Sequence, residues 1–172
     1  MALKKVIFLT GFKHVGKTTS GQKLASCLEV PFFDLDKIIE KKNGCKVSAL
    51  FDPCNPENFR DLELSALKSL DLNVHQVIAL GGGTLDSEKN CEFIKKNGVV
   101  FGLIAPFEIV FERIMALAPS FSLMDKNDPK GSLLDLYGRR KKQLETVALT
   151  LFDATAETLI EQMEEYVRKH IW

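Results

Sequence analysis

Val6-Ile7-Phe8-Leu9-Thr10-Gly11-Phe12-Lys13-His14-Val15-Gly16-Lys17-Thr18-Thr19 decides the reading of this chain. Its second half fits G-x-x-x-x-G-K-[ST], a loop whose glycines let successive backbone N–H groups converge on phosphate oxygens. A helix opening near Lys17 adds the positive end of its dipole to the same anion. Lys17 is placed to reach the β- and γ-phosphates, and the Thr18 hydroxyl to ligate magnesium. A Gly-rich turn that fits by accident is the alternative. It is disfavoured by context: a continuously apolar run precedes the loop, and a helix-like stretch over residues 18–28 follows it. Binding of a nucleoside triphosphate through Gly11, Lys13, His14, Val15, Gly16, Lys17, Thr18 and Thr19 is the expectation.

Outward from that loop, the chain alternates strands and helices. Strands are expected at 4–10, 30–33, 74–80, 98–104 and 149–152. Helices are expected at 18–28, after Asp36 to about 42, from Pro56 to about 70, and at 87–96, 106–116, 133–148 and 155–170. The first strand is continuously apolar, as in parallel strands buried on both faces. The expected fold is therefore a three-layer α/β P-loop fold: one parallel sheet, helices on both faces, and a single domain over 1–172. Residues 118–131, with two prolines and little periodicity, are expected to form a lid insertion over the phosphates.

Composition narrows the class. The 172 residues are 45% hydrophobic and 27% charged, and 23 basic residues balance 23 acidic ones, so nothing argues for nucleic acid or an anionic membrane. Cys27, Cys45, Cys54 and Cys91 form no C-x-x-C pair and read as reduced thiols of a cytoplasmic protein. No signal peptide or membrane-spanning run is visible, and a monomer is expected.

Four later features address the group that receives the phosphate. Asp34 and Asp36 sit two apart at the carboxyl end of the second strand, where ligands of open α/β sheets bind. In extended chain they point the same way, one holding magnesium and the other taking a proton from an attacking hydroxyl. Asp34 as a simple helix cap is the alternative. Arg60, in Phe59-Arg60-Asp61-Leu62-Glu63, can be an ordinary i,i+3 pair with Glu63. Arg140 falls on the apolar stripe Leu133, Leu136, Tyr137, Leu144 and Val147 and so needs an anion, either an internal carboxylate or a bound substrate. Gly81-Gly82-Gly83 ends a strand at the same rim, as a tight turn or as backbone that a ligand presses against.

In this order the motifs resemble shikimate kinase, a relative of the nucleoside monophosphate kinases. The match runs through Gly11–Thr18, Phe33-Asp34-Leu35-Asp36, Phe59–Glu63, Val77–Gly83 and Arg140 ahead of Val147-Ala148, nearly the whole chain. The resemblance implies magnesium- and ATP-dependent phosphorylation of the 3-hydroxyl of shikimate, a step of chorismate and aromatic amino acid biosynthesis. It gives Asp36 the hydroxyls and the role of base, with Lys17 also catalytic. Arg60 and Arg140 would take the substrate carboxylate, helped by Gly81, Gly82 and Gly83. Asp34 would support magnesium beside Thr18, and Arg113 would lie near adenine. The chain departs from the family where the lid carries Arg-Pro-Leu-Leu, which here is Phe121-Ser122-Leu123-Met124, and at His14, usually a small residue. Lys13, Lys126 and Lys130 are the cations that could replace the lid arginine, Lys13 foremost. A kinase of another hydroxy acid such as gluconate, and a nucleotide-binding regulatory module without catalysis, are the competing readings. Intact Lys17, Thr18, Asp34 and Asp36 argue against the latter.

Overall fold

The computed structural model describes residues 5–117 and 123–172. In chain order, β1 spans Val6–Gly11, α1 Lys17–Cys27, β2 Phe32–Asp34, α2 Leu35–Asn43, α3 Val47–Leu50 and α4 Pro56–Lys68. Then come β3 Gln76–Ala79, a 3₁₀ turn at Thr84–Asp86, α5 Glu88–Asn97, β4 Gly98–Ile104, α6 Phe107–Leu117, α7 Pro129–Val147, β5 Thr150–Asp153 and α8 Leu159–His170. The strands form one five-stranded sheet in the order β2-β3-β1-β4-β5, and every pairing is parallel.

Side-chain alternation along β1 explains why both faces are covered. Ile7 and Leu9 enter a cluster with Leu24 of α1, Val110 of α6 and Met163 of α8. Val6 and Phe8 enter the opposite cluster with Ile39 of α2, Leu67 of α4, Ile94 of α5 and Leu144 of α7. A strand apolar at every position is thus the sequence mark of a three-layer fold. Among the described residues no helix is long and apolar enough to cross a membrane, and all four cysteines are free.

The connection from β1 leads toward the β2 edge, whereas that from β3 leads to β4 on the other side of β1. The carboxyl ends of β1 and β3 therefore flank the switch point of the sheet, where a crevice opens. The loops that leave these two strands are the phosphate loop and Gly81-Gly82-Gly83. They meet closely: a Cβ on Gly82 would lie 3.2 Å from the Lys13 backbone nitrogen.

Several boundaries differ from the expectation. Residues 47–50, to which the sequence pattern assigns no element, form the one-turn α3, because Val47, Leu50 and Phe51 repeat at helical spacing and pack against the second cluster. Residues 129–131, read as lid, are the first turn of α7. Asp128 caps it by accepting from the Gly131 N–H at 2.9 Å, and Pro129 sits at the first position. Of the remaining lid expectation, 118–122 lie outside the described residues. The last helix begins at Leu159, not at residue 155, because Asp153 holds the Thr155 N–H at 2.8 Å and its hydroxyl at 2.6 Å in a turn.

Candidate active site

The phosphate loop is shaped by backbone conformation. Gly11 has φ +148°, and a side chain there would meet the Leu103 carbonyl oxygen at 2.5 Å. Gly16 precedes α1 with φ +112° and no side-chain cap, so the first N–H groups of the helix are left for an anion. His14 adopts φ +60°, a left-handed conformation that costs a non-glycine residue roughly 1–2 kcal/mol. Only glycine adopts this conformation without that cost. Arg113 lies across the back of the loop, its Nη1 donating to the His14 and Val15 carbonyls at 3.3 Å each. Lys17 curls over the front, Nζ donating to the Gly11 carbonyl at 2.9 Å and the Phe12 carbonyl at 2.8 Å. Burial pushes its ammonium down to about 8, against the opposing pull of Asp36.

Asp34 and Asp36 face the same cleft, but not as alternate residues of extended chain. β2 ends at Asp34 and α2 begins at Leu35, so Asp36 lies in the first helical turn. Asp34 is also the cap: Oδ1 accepts from the Lys37 N–H at 3.2 Å, while Oδ2 accepts from the Thr18 hydroxyl at 2.7 Å. One aspartate thus joins the start of α2 to the start of α1. Burial first, and the Asp34 charge second, raise the Asp36 carboxyl above the ordinary carboxylate range, opposed by Lys17 and Lys13.

The acceptor side is built by α4, the glycine rim and α7. Arg60 is buried, and its Nη1 donates to Glu63 Oε2 at 2.7 Å. The i,i+3 spacing was right, but both partners are in the interior, Arg60 at 5% and Glu63 at 0% exposure, so this is no surface pair. Thr84 Oγ1 at 2.5 Å and Asn90 Nδ2 at 3.2 Å donate to the same carboxylate. Burial nevertheless raises the Glu63 carboxyl, with Arg60 opposing. Arg140 reaches in from α7 and finds an internal carboxylate, Asp86, which accepts from Nη2 at 2.6 Å and from Nε at 3.2 Å. The rings of Phe51 and Phe59 each lie 5.9 Å from the Arg60 guanidinium, and that of Phe12 lies 5.7 Å from Arg140.

Gly83 is where the two arginines converge. A Cβ there would strike Arg60 Nη2, would lie 2.5 Å from Arg140 Nη2 and 2.9 Å from Asp86 Oδ2. Gly81 is pressed likewise: its Cβ would lie 2.9 Å from Glu63 Oε1 and 3.1 Å from Asp36 Oδ1. Three glycines are therefore more than a turn. Gly83 has φ −124°, which alanine also adopts, so Gly83→Ala should leave the melting temperature within a few degrees of wild type. It should raise the KM for the acceptor at least tenfold by parting the guanidiniums. Loss of the cooperative melt would instead make Gly83 a folding determinant.

The phosphate loop, the two aspartates, the glycine rim and the two arginines open into one cleft of ≈ 770 Å³, within the range of small-molecule sites. Lys17, Thr18, Asp34, Asp36, Arg60 and Arg140 line it together. Val47 and Ser48 of α3, with Phe51 just beyond it, form a further wall, and Leu117 and Leu123 also line the cleft. Arg113 does not line the cleft but fastens the loop from behind. Lys13 lines it, whereas Lys126 and Lys130 are exposed outside. Phe121 and Ser122, in the stretch matched to the family lid, lie outside the described residues.

A parallel sheet carrying a phosphate loop at its switch point, with an acidic and cationic cleft beside it, defines the class of P-loop kinases. Similarity to known proteins is more specific. The family model for shikimate kinase matches residues 13–170. The shikimate kinase of Caldanaerobacter subterraneus subsp. tengcongensis is 34% identical over 167 residues, covering 97% of this chain and 96% of that protein. The solved shikimate kinase of Acinetobacter baumannii in complex with shikimate superposes with a TM-score of 0.82 at 30% identity, covering 96% of this chain and 91% of that one. A gluconokinase from Sinorhizobium meliloti shares the fold, with a TM-score of 0.61, at 14% identity over 99% of this chain and 95% of that one. The chain belongs to the shikimate kinase family.

Proposed function

We propose that this chain transfers the γ-phosphoryl group of ATP to the 3-hydroxyl of shikimate, the step that family membership implies in chorismate biosynthesis, and does so in the cytoplasm. One observation carries the assignment. Two guanidiniums meet over Gly83 in the cleft that also holds Lys17 and Asp36, so one anionic acceptor can reach both ends.

In this reading the backbone of Gly11–Thr18 cradles the phosphates, and Lys17 leaves the loop carbonyls to pair with them. Arg60 and Arg140 fix the planar carboxylate through paired N–H donors, and the ring lies against Phe51 and Phe59. This presents the ring hydroxyl to Asp36, which removes its proton as the oxygen attacks. A base with a raised pKa suits that work, because proton acceptance is strongest from a group poised near the operating pH. Lys13, in the loop and lining the cleft, is the cation best placed to stand in for the lid arginine.

The donors present fit magnesium. Thr18 and Asp34 offer hard oxygens 2.7 Å apart at the phosphate loop. Among the described residues there is no cluster of three or more His, Cys, Asp or Glu to form an all-protein cage. Magnesium is ordinarily held by one or two protein oxygens together with substrate phosphates. When bound it neutralises phosphate charge.

Asp34→Asn tests this division of labour. Removing the Asp34 charge lowers the Asp36 pKa, so the acid limb of the pH–rate profile should move to lower pH. The magnesium concentration for half-maximal rate should rise. A limb that stays in place would separate Asp34 from the base. The activity itself is tested by a coupled assay with ATP, magnesium and a panel of hydroxy acids. Turnover with shikimate and not gluconate is expected, and the reverse preference would overturn the assignment.

A further inference from the structure

We infer that Asp86 is a positioning residue of the acceptor site: its carboxylate pins the Arg60 and Arg140 guanidiniums side by side, so that their remaining N–H donors meet a substrate carboxylate in one geometry. The inference deepens the shikimate reading and rests on it. Oδ2 of Asp86 accepts from Arg60 Nη2 at 3.3 Å and from Arg140 Nη2 at 2.6 Å, while Oδ1 accepts from Arg140 Nε at 3.2 Å. One carboxylate therefore bridges two cations that would otherwise repel each other. Among the described residues no acceptor is bonded to Arg140 Nη1 or to Arg60 Nε. The donors that Asp86 leaves over are thus available to a ligand.

The bridge is itself fixed. The Asp86 N–H donates to the Gly83 carbonyl at 2.9 Å, and the Gln143 side-chain amide of α7 donates to the neighbouring Leu85 carbonyl. The 3₁₀ turn is thereby tied both to the glycine rim and to the helix that carries Arg140. Asp86 is 35% exposed, so its charge keeps some water while its partners, at 5% and 10%, do not. Holding planar forks in place before the ligand arrives removes ordering cost from binding, which is a ground-state effect on affinity.

Asp86→Asn separates positioning from a simple field effect, because the two have opposite signs. Removing a negative charge beside an anion site would by field alone tighten shikimate binding, whereas loosening the guanidiniums weakens it. The expected result is a shikimate KM raised at least tenfold, with kcat and the ATP KM within about threefold of wild type. In the Arg140→Lys background the same change should add less than twofold, since the two act as one unit. NMR of the ligand-free wild type should show separate, slowly exchanging Nη resonances for Arg140, a readout that needs neither turnover nor a variant. An unchanged or lowered shikimate KM, an additive double variant, a parallel rise in the ATP KM, or a freely rotating Arg140 in the wild type would overturn the assignment. Wild-type protein that fails to phosphorylate shikimate would overturn the substrate reading, and with it Asp86 as a determinant of that substrate. Normal wild-type turnover with an unchanged Asp86→Asn KM would overturn Asp86 alone.

Discussion

Asp36→Asn should lower kcat by about 10²–10⁴, the range in which a positioned general base contributes, while the ATP KM stays within about threefold. The amide keeps the shape of the side chain and a hydrogen bond to a hydroxyl, but it cannot take the proton. The fold should not suffer, and the sign follows from the direction of the pKa shift. Burial and Asp34 raise the carboxyl of Asp36, so above its unfolded-state pKa the ionised group costs folding stability, fully so once pH passes the folded value. A neutral amide removes that cost. The thermal midpoint at neutral pH should therefore equal or exceed that of the wild type, a stability gained where activity is lost. Steady-state kinetics and a melt on the same sample check both halves. Near-normal kcat would remove Asp36 as the base.

Arg140→Lys should raise the shikimate KM by roughly 30- to 1000-fold and leave the ATP KM almost unchanged. Hydrogen bonds to charged groups contribute about 1.5–3 kcal/mol each, and the ammonium forfeits a paired set while keeping the charge. Arg140 projects from the body of α7 into the cleft, its side chain 10% exposed and bonded only to Asp86 among the described residues. Its replacement therefore spares the interior. The same change at Arg60 is a different experiment. It disturbs a pair in which Glu63 is wholly buried, and breaking a buried pair costs about 3–5 kcal/mol. Stability and substrate binding would fall together there, so Arg140 is the cleaner probe. Equal loss of affinity for ATP and shikimate in Arg140→Lys would assign it a structural role on the helix.

The parts of this molecule that were legible in the sequence are those whose physics is local. The run Val6–Leu9 with its glycine loop gave away a doubly covered strand and the phosphate loop behind it, because both depend on contiguous residues. The helical stripe around Arg140 correctly demanded an anion. What could not be read was which anion, since Asp86 is brought to Arg140 across 54 positions of chain. Glu63 looked like a surface partner of Arg60 because i,i+3 spacing carries no information on burial, and the Thr84 and Asn90 donors come from beyond α4. The four-residue α3 escaped notice since one turn barely registers as a period, yet it brings Val47 to the cleft. Asp34 and Asp36 were placed at the right rim by the wrong geometry. The cap that starts α2 turns the chain between them, and each carboxylate meets different neighbours.

The central claim is that a phosphoryl group moves from ATP to one particular hydroxyl, held opposite Asp36 by a carboxylate seated on Arg60 and Arg140. Identification of the product by ¹H–³¹P correlation NMR, after incubation of the wild-type protein with ATP, magnesium and shikimate, tests it most directly. The expected spectrum couples the new phosphorus to the ring proton at carbon 3, with ADP formed in equal amount. Coupling to a different ring proton, or ADP accompanied only by inorganic phosphate, would contradict it.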